Sequence, residues 1–335
     1  IIASISSVGM FFVHSRTAYF ICRVIVGLGC GPVCLSAMQL LALHFSAKGF
    51  HFSQSAVMLA GCLGSITPPL FLPVGCKLMF LSCGICGLMF SLITMFVMSP
   101  RKYHRAHQML DDDGDSNEEG GSTWMAMKDI LTNKDFWFLT LWNISFPSIY
   151  DNFTSLWGVT YLEAYLGVDE QKAAFIMAAC PVAYLICTPL VTILSECLKT
   201  RKWVVFACSL MGLLVSFGFL FATPKLGEVF VVILLISLGA FASAPLSTVM
   251  TMFKELRTSK QAGIIFGLSN FFPYAVTAFL QSFSSALLPE HSKDSDINLW
   301  DLQKAVWIPS VVLGSLGFIG ILLSKETYKR EEVNA

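Results

Sequence analysis

The sequence predicts an all-α, polytopic membrane helix bundle, and three observations carry that prediction. Hydrophobic residues make up 55% of the 335-residue chain and charged residues only 13%, against about 25% charged in ordinary soluble domains. The mean hydropathy is +0.67. Nine apolar stretches are each long enough to cross a bilayer core, which takes about 20 helical residues.

In chain order, residues 1–13 form an apolar stub that fits the tail of a helix. Stretches 18–43, 53–73 and 77–98 follow, and then a polar segment, 100–134. Six more stretches come after it, at 136–157, 173–194, 203–223, 229–252, 262–287 and 305–323. Six after the polar segment and three plus a stub before it predict two pseudo-symmetric six-helix halves with the first two helices missing. On this reading residues 1–99 are the remainder of the N-terminal half (helices 3–6). Residues 100–134 are a cytoplasmic central loop, partly disordered, and 135–335 are the C-terminal half (helices 7–12) with a short cytoplasmic tail. The chain opens on Ile1 with no Met and no basic n-region, so the expectation is truncation and not a signal peptide.

The loop begins basic, from Arg101 to Arg105, and turns acidic from Asp111 to Glu119. That acidic run lacks the apolar area a fold needs and is expected to be disordered. Trp124–Leu131 carries apolar residues near helical spacing and is expected to lie on the inner membrane surface. With this loop placed inside, fifteen Lys and Arg fall on the inner side and six on the outer. The bias puts the C-terminus in the cytoplasm but does not distinguish plasma from organellar membrane.

Composition and motifs exclude several classes. The eleven cysteines fall almost wholly in predicted spans, so no disulfide framework is implied. Cys83 and Cys86 have CxxC spacing but sit in an apolar helix. The six histidines form no ligand-spaced cluster, and neither a phosphate-binding loop nor a hydrolase elbow is present. We therefore expect no enzyme, no cofactor, no metal and no nucleic-acid partner; the expected partners are the lipid bilayer and a small-molecule substrate.

Four polar constellations stand out. Arg23 opens Arg-Val-Ile-Val-Gly-Leu-Gly-Cys-Gly-Pro. An arginine in a span is costly unless it meets a partner, water or the interface, so Arg23 is either functional or snorkels outward. Gly27 and Gly31 form a GxxxG, a spacing that lets a neighbouring helix approach. Asn143, Pro147 and Asp151 share one helix face at i, i+4 and i+8, with Tyr150 and Asn152 beside them. Asp151 lies on a solute pathway or reaches headgroup water near Trp157. Asn270, Tyr274, Thr277 and Gln281 form a second stripe, which either lines a cavity or supplies hydrogen bonds between helices. Ser195, Glu196, Arg201 and Lys202 stand at an inner helix end, where an acid beside basic residues can form a charge lock. The halves also echo one another: Pro32 precedes Lys48 by 16 residues and Pro245 precedes Lys260 by 15.

These residues resemble the major facilitator superfamily. The Arg-x-x-x-Gly-x-Gly at Arg23 is similar to that family's fourth-helix motif, where the arginine is tied to proton coupling or inter-helix contacts. Gly61, Gly64, Pro68 and Pro69 resemble the Gly/Pro-rich fifth helix of its antiporters. Residues 195–202 resemble its loop signature, with Glu196 at the acidic position, Thr192 in place of the glycine and Cys197 in place of the first arginine. Trp157-Gly-x-x-Tyr-Leu resembles the outer end of the seventh helix. The resemblance spans helices 3–12 and implies secondary active transport of a small solute by alternating access, coupled to protons, with Asp151 as the protonated acid and Arg23 as its counterpart. The alternative is a receptor or scaffold of the same fold, signalling through the acidic loop. No helix in the chain carries an Arg/Lys pair, which argues against phosphorylated or polyanionic substrates.

Overall fold

The computed structural model describes residues 1–45, 47–66, 75–97, 123–256, 261–288 and 298–328, and among them there is no strand. The acidic run 111–119, Pro68-Pro69 and the basic turn ending at Lys260 lie outside the described residues. Among the described residues, seven helices are long and apolar enough to cross a membrane.

The N-terminal group comprises α1 (Ile2–Phe12), α2 (Arg16–His44), α3 (Ala47–Ile66) and α4 (Cys76–Val97). Helix α1 lies between α2 and α4. The seats are glycines, because a β-carbon at Gly29 would come within 2.7 Å of the Ala3 nitrogen and one at Gly84 within 2.8 Å of the Val8 nitrogen. This corrects one expectation. The predicted GxxxG pair is not the contact: β-carbons at Gly27 and Gly31 would meet nothing within 4 Å among the described residues. The approach uses the glycine between them, on the other side of the helix.

The C-terminal group starts with a short helix, α5 (Thr123–Thr132), inside the segment expected as loop. Its Ile130 is buried while Trp124 and Met125 are exposed, and the Trp137 indole donates to the Leu131 carbonyl at 2.7 Å, fixing the turn into the next helix. The first crossing is α6 (Lys134–Asn152), a π-helical turn (Phe153–Trp157) and α7 (Gly158–Leu166). It begins at Asn133, whose side chain accepts from the Asp135 amide, one of the donors a helix start leaves unpaired. Next come α8 (Glu170–Met177) and α9 (Ala179–Leu198), which form one crossing, and α10 (Lys202–Phe221). The fourth crossing is α11 (Gly227–Leu238), a second π turn (Gly239–Ser243) and α12 (Leu246–Glu255). Helices α13 (Ala262–Ala286) and α14 (Leu299–Leu323) complete the group. Gly239 must be glycine for α9 to approach, since a β-carbon there would lie 2.1 Å from the Cys180 carbonyl oxygen.

Lipid tails are as apolar as the side chains, so these helices are held by close packing and satisfied polar groups. Trp307 stacks on Phe219 at 4.4 Å, with Phe153 and Tyr161 against the same Phe219 ring. The Gln303 amide donates to the Ala222 and Phe219 carbonyls at 2.6 and 3.2 Å. These carbonyls end α10, where no further turn supplies a donor.

The two groups meet along α3, which packs on α9 and α12, and along α2, which packs on α13. These contacts run from the end of the bundle holding Phe45, Phe50 and residues 199–202, called here the basic end, inward to Met58, whose sulfur accepts from the Tyr184 hydroxyl at 3.5 Å.

Candidate functional site

Two polar regions stand out, one at the basic end and one along α6 and α13. The first is a buried charge cluster. Arg201 is 2% exposed. Its Nε donates to both Glu255 oxygens at 2.9 Å, and its Nη1 donates to Glu196 Oε1 at 3.0 Å. The planar guanidinium thus ties the end of α9 to the end of α12, a geometry lysine cannot copy. Ser195 Oγ donates to the Thr200 carbonyl at 3.0 Å. The turn between them puts Lys199 at φ 52, which brings Arg201 back under α9.

The N-terminal group reaches this cluster through His51, which is fully buried. Its Nδ1 lies 2.9 Å from Glu196 Oε1 and 2.8 Å from Arg201 Nη1, and its Nε2 lies 3.1 Å from Thr248 Oγ1. Around it are further ties between the halves. Lys254 Nζ donates to the Phe45 carbonyl at 2.6 Å and sits 4.6 Å over the Phe50 ring. Phe50 stacks on Phe266 at 5.6 Å, and the hydroxyls of Ser55 and Thr192 are 2.5 Å apart.

The C-terminal tail braces the cluster. Glu326 accepts from the Arg201 and Lys202 amides at 3.0 and 3.2 Å and from the Thr200 hydroxyl. A carboxylate there complements the positive N-terminus of α10. Partial burial pushes the Glu326 carboxyl up, but these hydrogen bonds and one from the Tyr328 amide outweigh it and hold it below its ordinary value. Lys202 Nζ donates to the Leu322 and Ser324 carbonyls at 2.8 and 2.7 Å. Thr327 donates to Glu255, and Tyr328 OH lies 3.4 Å from Glu196 Oε2.

The second region explains itself through proline. Pro273 lacks an N–H, so the carbonyl of Ser269, one turn earlier in α13, has no helical donor. Asn143 Nδ2 supplies one at 2.7 Å. Ser148 donates to the Pro273 carbonyl at 3.1 Å, so α6 and α13 are stitched where both carry a proline. Asn143 Oδ1, Asn152 Oδ1 and Thr277 Oγ1 are buried with no protein partner, the signature of a place for water or solute. Trp157 Nε1 donates to Ser284 Oγ at 2.8 Å, and Gln281 Nε2 to Ser155 Oγ at 2.9 Å. Asp151 is half-buried. Tyr274, on the same helix as Thr277 and Gln281, is exposed. Tyr150 packs edge-on against Tyr184 at 5.5 Å.

The structure therefore brings Asn143, Asp151, Tyr274, Thr277 and Gln281 to one seam between α6 and α13, and places Asn270 lower on it, with its amide 3.7 Å from Met38 sulfur. Arg23 is elsewhere. Its guanidinium lies 4.9 Å over Phe80 and 5.5 Å over Tyr19, and no ion pair joins it to Asp151 among the described residues. Between α2 and α13 lies a cavity of ≈ 570 Å³ lined by Gly31, Pro32, Leu35, Ser36, Gln39, Gly263 and Ile264. No group of His, Cys, Asp or Glu among the described residues is placed to hold a metal ion. The sequence reading missed His51, Lys254, Glu255, Glu326 and Tyr328. A titratable His51 just ahead of the predicted span 53–73, and the Lys254-Glu255 pair closing another, were the available signals.

The Major Facilitator Superfamily model matches residues 1–281. No curated protein sequence matches the chain. Among solved structures, the fold is similar to a bacterial homologue of the iron transporter ferroportin in an outward-facing state, at 14% identity and TM-score 0.68, covering 96% of this chain and 79% of that one. It is also similar to a bacterial homologue of the human lysosomal transporter Spinster in an inward-facing, occupied conformation, at 16% identity and TM-score 0.58, covering 96% of this chain and 80% of that one.

Proposed function

The chain belongs to the major facilitator superfamily, and on that premise we propose that it moves a small solute across a membrane by alternating access, driven by protons, with the central loop and C-terminus in the cytoplasm. One observation carries the reading. Among the described residues, hydrogen bonds that join the halves come from Met38, Phe45, His51, Ser55 and Met58, on the α2–α3 hairpin. They are polar, and those of Phe45 and His51 sit at the basic end with that of Ser55 one turn further in, so a rocking motion can break them together. Repeated halves that rock around a midplane site are the architecture of such transporters.

The seam between α6 and α13 is the proposed solute site. Asn143 has its amide nitrogen committed to Ser269, which leaves its oxygen free. With Thr277 Oγ1, also unpartnered, and the Asp151 carboxylate on the same seam, the site offers acceptors and suits a solute that presents hydrogen-bond donors, such as a hydroxylated or amine-bearing molecule. Asp151 is the proposed protonated acid. Its proposed counterpart Arg23 is held by aromatic rings in this state, so their pairing requires another state of the cycle.

The test is thermal stability of the purified protein at pH 5.5 and 7.5 against amino acids, carboxylates, sugars, phosphates and organic cations. A ligand at 100 times its Kd adds about 2.7 kcal/mol. One class that raises the Tm, with a pH-dependent shift lost in Asp151→Asn, supports the reading. No shift with any class argues for a protein that keeps the fold without transport.

A further inference from the structure

Among the described residues, His51 is the member of the buried charge cluster contributed by the N-terminal group. Its Nδ1 faces two groups with opposite demands: Glu196 Oε1 at 2.9 Å, an acceptor, and Arg201 Nη1 at 2.8 Å, a donor. Both cannot be satisfied. A guanidinium only donates, and an imidazole nitrogen accepts only without its own hydrogen. With Nδ1 bare, the ring is neutral, its hydrogen sits on Nε2, and Thr248 Oγ1 at 3.1 Å accepts it. A proton on Nδ1 breaks the bond to Arg201 and sets two cations against each other at hydrogen-bond distance. Glu196 Oε1, which accepts from Arg201 at 3.0 Å, can accept the Nδ1 hydrogen as well, but that bond leaves the Arg201 nitrogen still facing a cation at 2.8 Å.

We propose that His51 is a proton-binding site coupled to the motion of the halves: neutral while the basic end is closed, and taking up one proton on Nδ1 as that end opens. The inference deepens the transport reading and rests on it.

Among the described residues, the other charged groups around His51 are already engaged. From α9 there is Glu196 and from the following turn Arg201. From α12, Glu255 is held by Arg201 and Thr327, and Lys254 by the Phe45 carbonyl. From the tail, Glu326 caps α10 and Tyr328 meets Glu196. From α2, His44 Nδ1 lies 2.8 Å from the Leu40 carbonyl, exposed. His51 precedes the predicted span, and burial pushes its pKa down from the ordinary value to about 4; the Glu196 hydrogen bond pulls the other way and the Arg201 charge adds to the lowering. The closed form therefore binds fewer protons than an open form with His51 in water at an ordinary pKa near 6.5. Closure is fully favoured above that value and weakens as pH falls from about 6.5 toward 4.

The experiment measures distances by pulsed electron spin resonance between labels on non-natural residues at Phe52 and Trp203, both exposed, in the full protein in lipid nanodiscs. In wild type the open-to-closed ratio should rise as pH falls from 7 to 4, by up to about tenfold per pH unit for one proton. His51→Gln accepts from Arg201 but does not titrate and should flatten that response. His51→Lys, a fixed cation, should stay open at every pH. A pH response that survives in His51→Gln overturns the inference and leaves rocking intact. Open and closed populations that ignore pH in wild type do the same. A single closed population under all conditions overturns the rocking reading itself, and this inference with it.

Discussion

The side chains of His51 and Arg201 meet nitrogen to nitrogen at 2.8 Å although 150 positions separate them. The carboxylates that hold Arg201, Glu196 and Glu255, belong to the C-terminal group. The His51 bond is thus where the state of a buried charge cluster is communicated to the other half.

Arg201→Gln should be strongly destabilising. It leaves the Glu196 and Glu255 carboxylates, 9% and 7% exposed, without their counter-charge. Removing one partner of a buried pair costs about 3–5 kcal/mol. Thermal unfolding in nanodiscs checks this, and an unchanged Tm would show that water already screens the cluster.

Asn143→Ala should cost about 1–3 kcal/mol, because the Ser269 carbonyl loses its donor. The cost exists only because Pro273 withholds a backbone N–H. In a Pro273→Ala background, the helix itself can satisfy Ser269, and Asn143→Ala should cost clearly less. A double-mutant cycle measures the difference; strict additivity would refute the proline argument.

The tail brace should be lost in acid. Glu326 has its carboxyl held below the ordinary value, so its contribution is complete above the ordinary carboxylate pKa of about 4.3 and fades as pH falls through the lowered value. Proteolysis across residues 324–328 should accelerate in that window. Glu326→Gln should show the fast cleavage already at pH 7, and equal rates for the two proteins at neutral pH would rule the brace out.

The fold was legible in the sequence because bilayer length and apolar composition act locally. Each stretch from 18–43 to 305–323 declares itself without knowledge of its neighbours. The α6–α13 seam was half legible, since Asn143 with Asp151 and Asn270 with Thr277 are periodic on their own helices. That Asn143 serves Ser269 depends on the contact of two helices 126 positions apart, which periodicity cannot encode. The basic-end cluster was visible only as Glu196 near Arg201. His51, Glu255 and Glu326 are single residues on three other elements, and their meaning comes from convergence. Helix α5 shows the reverse case, as a short apolar run too brief to span that forms a helix once Ile130 has a surface to bury against.

The two π turns set how this chain tolerates length changes. Each holds one residue more than an α turn, so the helix beyond it is rotated by about 100° relative to an uninterrupted one. Tyr161 reaches Phe219 and Gln303 only because that rotation has occurred upstream, at Phe153–Trp157. Removing a single residue there would leave an unbroken, better-formed helix that presents the wrong side to its neighbours. Single deletions should therefore be more damaging at 153–157 and 239–243 than most substitutions, while the same deletions in surface loops pass unnoticed.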